Sequence, residues 1–126
     1  MDRFTFRRLV VYRKALDMVG HANEFAARIP RDHVDLKWQL RRAARSVVLN
    51  IAEGAGEYSP KEKARLYRIA RRSAWETIAA LDMGVRDGFF DEADLAGVLG
   101  EIDEITAMLT TMVQRAERRG RHPKTD

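Results

Sequence analysis

Apolar residues recur at spacings of three and four along most of the chain, and nowhere do they alternate over a useful length. That period matches one face of an α-helix rather than a pleated strand, so the sequence predicts helices and no sheet. The first stripe is Leu9, Tyr12, Leu16, Val19, Ala22, Ala26 and Ile29. Pro30 stops it, because its ring clashes with the preceding turn and it lacks an N–H. The second stripe is Leu36, Leu40, Ala43, Ala44, Val47 and Ile51. Asp32 or Asp35 is placed to cap its start, and Gly54 and Gly56 to supply left-handed backbone at its end. The third runs Leu66, Ile69, Ala70, Ser73, Thr77, Ala80, Leu81 and Gly84, ending at Gly88. Its start is the sharpest boundary in the chain, with Ser59 as N-cap, Pro60 at the first helical position and Glu62 as the capping-box acid. The fourth is Leu95, Val98, Leu99, Ile102, Ile105, Leu109, Met112, Val113 and Ala116. Asp91 caps it, with Glu92 and Asp94 at the positive end of the helix dipole.

Four amphipathic helices with short connections lie antiparallel to their chain neighbours, so the expected fold is all-α, an up-down-up-down antiparallel four-helix bundle. The third and fourth helices would each span roughly 40 Å. Residues 1–117 form the expected bundle domain. Residues 118–126 carry Arg118, Arg119, Arg121 and Lys124 with no apolar stripe, and are expected to fray as a basic tail.

Composition removes whole classes of function. The 126 residues support one domain and include no cysteine, which excludes disulfide scaffolds, thiol nucleophiles and Cys-ligated metals. No apolar run approaches the roughly 18 residues of a transmembrane helix, and Met1-Asp2-Arg3-Phe4 brings charge where a signal peptide needs its apolar core. A cytoplasmic protein without a membrane partner is expected. A di-iron bundle needs Glu-x-x-His so that both ligands face inward one turn apart, and no Glu here has His three residues on. His-Glu-x-x-His is missing too, and His21, His33 and His122 fall in unrelated places. Gly54-Ala55-Gly56 follows a helix instead of a strand, so it is read as a helix end and not a nucleotide loop. Ser46 and Ser73 have no paired His base. No enzyme, no metal and no cofactor are expected.

What remains is charge. The net charge of +4 hides a steep division: residues 35–72 carry 10 basic and 4 acidic side chains, whereas residues 73–114 carry 1 and 9. Trp38, Arg41, Arg42 and Arg45 share one face of the second helix. Lys61, Arg65, Arg68, Arg72 and Trp75 share one face of the third, flanked by Arg71. Adjacent rows of this kind would neutralise phosphates, and an indole could stack on an unpaired base. The same rows could instead lie in solvent, or meet the acidic fourth helix of their own or another subunit. The predominance of Arg over Lys, 18 to 5, fits bidentate phosphate contacts or a coding bias equally. Beside the apolar stripes, Ser46 and Asn50 stand one turn apart, and Glu53, Ser73 and Glu76 border the same level. Buried polar groups need partners, so a hydrogen-bonded layer fixing helix register is expected, with Glu76 reaching Asn50 or Arg42.

Gln39-Leu40-Arg41-Arg42-Ala43-Ala44-Arg45-Ser46-Val47-Val48-Leu49-Asn50-Ile51-Ala52-Glu53-Gly54 resembles the hallmark of a bacterial four-helix bundle family. That family was first noted as products of intervening sequences in large-subunit ribosomal RNA genes. Ile69-Ala70-Arg71-Arg72-Ser73-Ala74-Trp75-Glu76 resembles its second motif, with Arg72 where Gly is usual. Leu9-Val10-Val11-Tyr12-Arg13-Lys14-Ala15 resembles its opening, with Tyr12 where Trp is common. The resemblance covers roughly residues 4–115. It implies a homopentameric ring of bundles, and the accessory proteins of diversity-generating retroelements look like relatives. Those relatives are basic pentamers that bind a reverse transcriptase and nucleic acid. Arg41, Arg42, Asn50, Glu53, Ser73 and Glu76 match the family signature, which carries no catalytic role, while Trp38 and Arg72 depart from it.

The expectation is therefore a non-catalytic, oligomeric bundle that binds RNA or DNA through a basic Arg-rich face. The rival is a homo-oligomeric interaction scaffold, or an accessory subunit to a protein such as a reverse transcriptase. In that case the basic and acidic faces are spent on subunit contacts.

Overall fold

The computed structural model describes residues 4–121, and these form four long helices: α1 (Val10–Ala27), α2 (Val34–Ala55), α3 (Pro60–Arg86) and α4 (Ala96–Arg121). Single turns of 3-10 helix at Thr5–Arg8, Arg31–His33 and Glu92–Leu95 lead into α1, α2 and α4. Among the described residues there is no strand, and no helix is long and apolar enough to cross a membrane.

Side-chain contacts define the register. Between α1 and α4 they run Lys14–Glu104, His21–Glu101 and Arg28–Asp94, so one number rises as the other falls. Between α3 and α4, Arg68 meets Glu117 and Arg71 meets Thr110. Between α2 and α3, Ser46 meets Ser73 while Gly54 lies against Tyr67. Each pair is antiparallel. Met18, Leu40, Val47, Ile51, Leu81, Ile102, Ile105 and Leu109 are fully enclosed along the shared axis. Apolar area removed from water, at about 25 cal/mol per Å², is the main force assembling such a core.

The stripes of α2 and α4 fall on the core as expected, with Leu99 and Met112 only half-buried. In α3, Ile69 is half-buried and Ala64, Tyr67 and Ala74 join the interior. The first stripe is out of phase over its first half. Val11, Ala15, Met18, Ala22, Ala26 and Ile29 face inward, whereas Leu16 is exposed and Leu9, Tyr12 and Val19 sit at the margin. Two apolar stripes one residue apart compete here. The stripe bearing Ala15 and Ala22 wins because small residues let helix backbones approach closely.

Several helix ends depart from expectation. Neither Asp32 nor Asp35 caps α2; the chain leaves Pro30 through a 3-10 turn whose His33 N–H donates to the Pro30 carbonyl at 3.0 Å. Gly54 and Gly56 are not left-handed; among the described residues only Gly88 has positive φ, at 82°. The end of α2 needs no such residue, because Lys63 Nζ donates to the carbonyls of Gly54 (2.6 Å) and Ala55 (3.2 Å). Ser59 caps α3 as expected, its Oγ accepting from the Glu62 N–H at 3.2 Å. The Glu62 carboxylate turns to Arg65 instead of reaching back, and Glu57 takes the Ser59 N–H at 3.4 Å. At Asp91 the backbone N–H is bound by the Asp94 carboxylate at 3.3 Å. Helix α4 runs on through Arg118, Arg119, Gly120 and Arg121, the first part of the expected tail, while residues 122–126 lie outside the described residues.

Candidate nucleic-acid interface

The inward residues of α2 are Leu36, Leu40, Ala43, Ala44, Val47, Ile51 and Gly54, which leaves the opposite side of that helix to solvent. Trp38, Arg41, Arg42, Arg45 and Leu49 project from it, since spacings of three, four and eleven return to nearly the same direction. Together with Ser46, Asn50 and Glu53 they line an open groove of about 470 Å³. Its two apolar members are unusually bare, Trp38 being 62% and Leu49 61% exposed. Arg42 lies 5.8 Å from the Trp38 ring centroid, a cation–π contact between two residues of the groove wall. None of Arg41, Arg42 and Arg45 has an acidic partner among the described residues. Three unpaired guanidiniums and an exposed indole can together bind phosphate oxygens and the face of a base.

The α3 row does not form one face with this groove. Arg65 forms an ion pair with Glu62 on its own helix, which holds the Glu62 carboxyl below its ordinary range. Arg68 pairs with Glu117 on α4 at 3.4 Å. Arg71 donates to Thr110 Oγ1 on α4 at 3.1 Å, and its guanidinium lies 5.3 Å from the Trp75 ring centroid. Lys61 leans into a second groove, between α3 and α4. Arg72 alone is both exposed and without an acidic partner close to the α2 side. The ten residues anticipated as a single interface are thus three groups: the α2 groove, Arg65 with Arg72, and the side of α3 turned to α4.

The acidic side chains at the start of α4 face α1 and not the basic rows; Glu117, near its other end, meets the α3 row through Arg68. Glu104 and Glu101 bind Lys14 and His21 of α1 at 2.5 and 2.6 Å, and Asp94 of the preceding turn binds Arg28 at 3.2 Å. The Glu101 contact raises the His21 pKa, and the Glu104 contact raises that of Lys14. Much of the negative charge is satisfied inside the chain by α1, which leaves α2 open.

The polar layer forms with fewer members than expected. Ser46 Oγ and Ser73 Oγ share a hydrogen bond of 2.8 Å across α2 and α3. Asn50 Nδ2 donates to the Ser46 carbonyl at 2.9 Å and to its Oγ at 3.1 Å. Glu53 and Glu76 are exposed and stand outside it; Glu76 borders a pocket with Gln39, Arg42 and Met83 but bonds neither Asn50 nor Arg42 among the described residues. Thr77, assigned to the apolar stripe, belongs to the layer instead: it is fully buried and its hydroxyl donates to the Ser73 carbonyl at 2.9 Å.

Two functional contributors escaped the sequence. Leu49 was readable, standing one turn beyond Arg45 on the Trp38 face. Lys63 was not, because its role depends on where α2 ends. Among the described residues no group of three His, Asp or Glu side chains is placed to hold a metal ion. A family model described as 23S rRNA-intervening sequence protein matches residues 7–111. No curated protein matches the chain.

Proposed function

The chain belongs to the 23S rRNA-intervening sequence protein family, and from that premise we propose that it is a non-catalytic, oligomeric, cytoplasmic bundle that binds RNA or DNA through the α2 groove. The observation that carries the proposal is the set of Arg41, Arg42 and Arg45 around Trp38, all free of acidic partners among the described residues, with Arg42, Arg45 and Trp38 exposed and Arg41 half-buried on the groove wall. Phosphates would settle on the guanidiniums and a base on the indole, so binding should weaken steeply with salt. A non-catalytic role is supported by Ser46 and Ser73, whose hydroxyls are spent on each other and not poised beside a base.

The test belongs on α2. Arg68→Glu would set a carboxylate against Glu117 and confuse folding with binding. Arg41→Glu with Arg45→Glu changes no described contact. We expect this double variant to lose binding to labelled RNA and DNA while keeping its melting temperature; unchanged affinity would remove the α2 groove as the site.

Oligomerisation is supported by large apolar side chains left in water, Leu16, Leu49, Trp75 and Met83 among them. Side chains of this size gain by being covered. If the groove is instead a contact between subunits, as in the scaffold or accessory-subunit alternative, the α2 variant dissociates the oligomer in light scattering.

A further inference from the structure

The charge of the folded bundle is divided by end as well as by helix. The half that holds the starts of α1 and α3 and the ends of α2 and α4 (residues 4–18, 45–72 and 109–121) carries 15 basic and 5 acidic side chains. The other half (residues 19–44 and 73–108) carries 6 and 12. Positive charge gathers most densely where α3 begins and α4 finishes. There a groove of about 340 Å³ opens between the helices, with Lys61, Arg68 and Arg121 and one carboxylate, Glu117, on its walls, and Ala64, Ala116 and Gly120 as its smaller lining residues. The small residues allow a close approach: even a Cβ added at Gly120 would stand 3.7 Å from Pro60.

We propose that this groove is a second phosphate-binding site, distinct from the α2 groove, and that it takes the phosphodiester backbone of a nucleic acid. Helix stability does not account for all of its cations. Arg118, Arg119 and Arg121 complement the negative end of the α4 dipole, but Lys61 sits at the positive end of α3, where a cation is disfavoured. Lys61, Arg118, Arg119 and Arg121 have no acidic partner among the described residues. Arg68 keeps donors free beyond its single contact with Glu117. Neighbouring cations also press on one another: Lys63 has a lowered pKa, chiefly from burial and then from Arg119. Within the groove, a phosphate neutralises Lys61, Arg68 and Arg121, and counterion release drives the binding. Arg118, Arg119 and Arg121 lie beyond residue 111, where the family match ends, so the family assigns them nothing.

The nucleic acid as ligand rests on the function proposed above, whereas the site itself does not. The experiment measures anisotropy of labelled single-stranded and double-stranded 30-mers with the full chain across a salt series, with inorganic phosphate as competitor. The variants are Lys61→Gln with Arg121→Gln, the Arg41→Glu with Arg45→Glu pair, and all four together. Loss of two phosphate contacts should lower the log–log salt slope by about 1.4–1.8 in the Lys61/Arg121 variant. Arg121→Lys with Lys61→Arg should restore it, since charge and not packing is at issue. If the slope stays at its original value in Lys61→Gln/Arg121→Gln, the second site is refuted whatever the α2 variant does. If only the α2 variant keeps full binding, the α2 proposal fails and the α3–α4 groove stands. Competition by millimolar phosphate, with no preference for the polymer, would overturn the assignment to nucleic acid.

Discussion

Glycine at two kinds of helical position should respond to alanine with opposite signs. Gly84 is buried in α3, and a Cβ built there falls 2.2 Å from Phe90 Cζ and within 2.9 Å of both adjacent ring carbons. Gly100 in α4 is exposed and has nothing within 4 Å of the added atom. Both lie in α-helix without positive φ, so the backbone term is shared: alanine gains about 0.5–1 kcal/mol of helix propensity. At Gly84 the ring must move by more than 1 Å to restore van der Waals distance. Phe90 is buried and packs edge-to-face against Phe25 with centroids 5.0 Å apart, so it has little room. Overpacking of this kind costs about 1–3 kcal/mol, and losing the aromatic pair about 0.5–1.5 kcal/mol more. The net expectation for Gly84→Ala is destabilisation by about 0.5–4 kcal/mol, and for Gly100→Ala stabilisation by about 0.5–1 kcal/mol. With about 3–6 °C per kcal/mol for a chain of this size, the two variants should melt at temperatures separated by several degrees on either side of the parent. Urea titration followed by circular dichroism gives the same comparison at 25 °C. A Gly84→Ala protein as stable as the Gly100→Ala protein would show that the packing of Phe90 on α3 is not as tight as described.

Other consequences are open to measurement. Trp38→Ala should reduce affinity for single-stranded nucleic acid by about 1–3 kcal/mol, roughly 5- to 150-fold, with the melt unmoved because the indole is exposed. Ser73→Ala should lower stability by about 0.5–1.5 kcal/mol by removing the bridge to Ser46, as read in urea denaturation. The His21–Glu101 pair should make stability depend on pH near neutrality. Its folded pKa is raised above 6.5, so its stabilisation is complete below that value and disappears as pH climbs through the raised one. The sign is a melting temperature that falls on the alkaline side of 6.5, and His21→Gln should flatten that dependence. Ile105→Ala, at a fully enclosed position, should cost about 2–5 kcal/mol.

Most of the fold was legible because its signals are local. A helix's inward face follows from the spacing of its own apolar residues, and Ser59-Pro60 marks a start by the bonding needs of its own first turn. The phase of α1 was less legible, since bulk favoured Leu16 while close packing favoured Ala15. The candidate site was legible only in part. Trp38, Arg41, Arg42 and Arg45 lie on one helix, so periodicity places them together without help. Charge alone groups Arg68 and Arg71 with them, and the partners that claim them, Glu117 and Thr110, are 49 and 39 residues further along the chain.

The sequence by itself determined that this chain makes four amphipathic helices, where α3 starts, and which family motif sits on α2. Only the tertiary structure decided which charges remain available. An ion pair depends on which helices are neighbours and in what register, and neither is a property of a single stretch of chain. Antiparallel packing set Glu104 and Glu101 of α4 against Lys14 and His21 of α1, and Asp94 of the preceding turn against Arg28 just after α1, leaving the arginines of α2 without acidic partners among the described residues. It also brought the start of α3 to the end of α4, turning Arg121, expected in a fraying tail, into part of the wall of a groove.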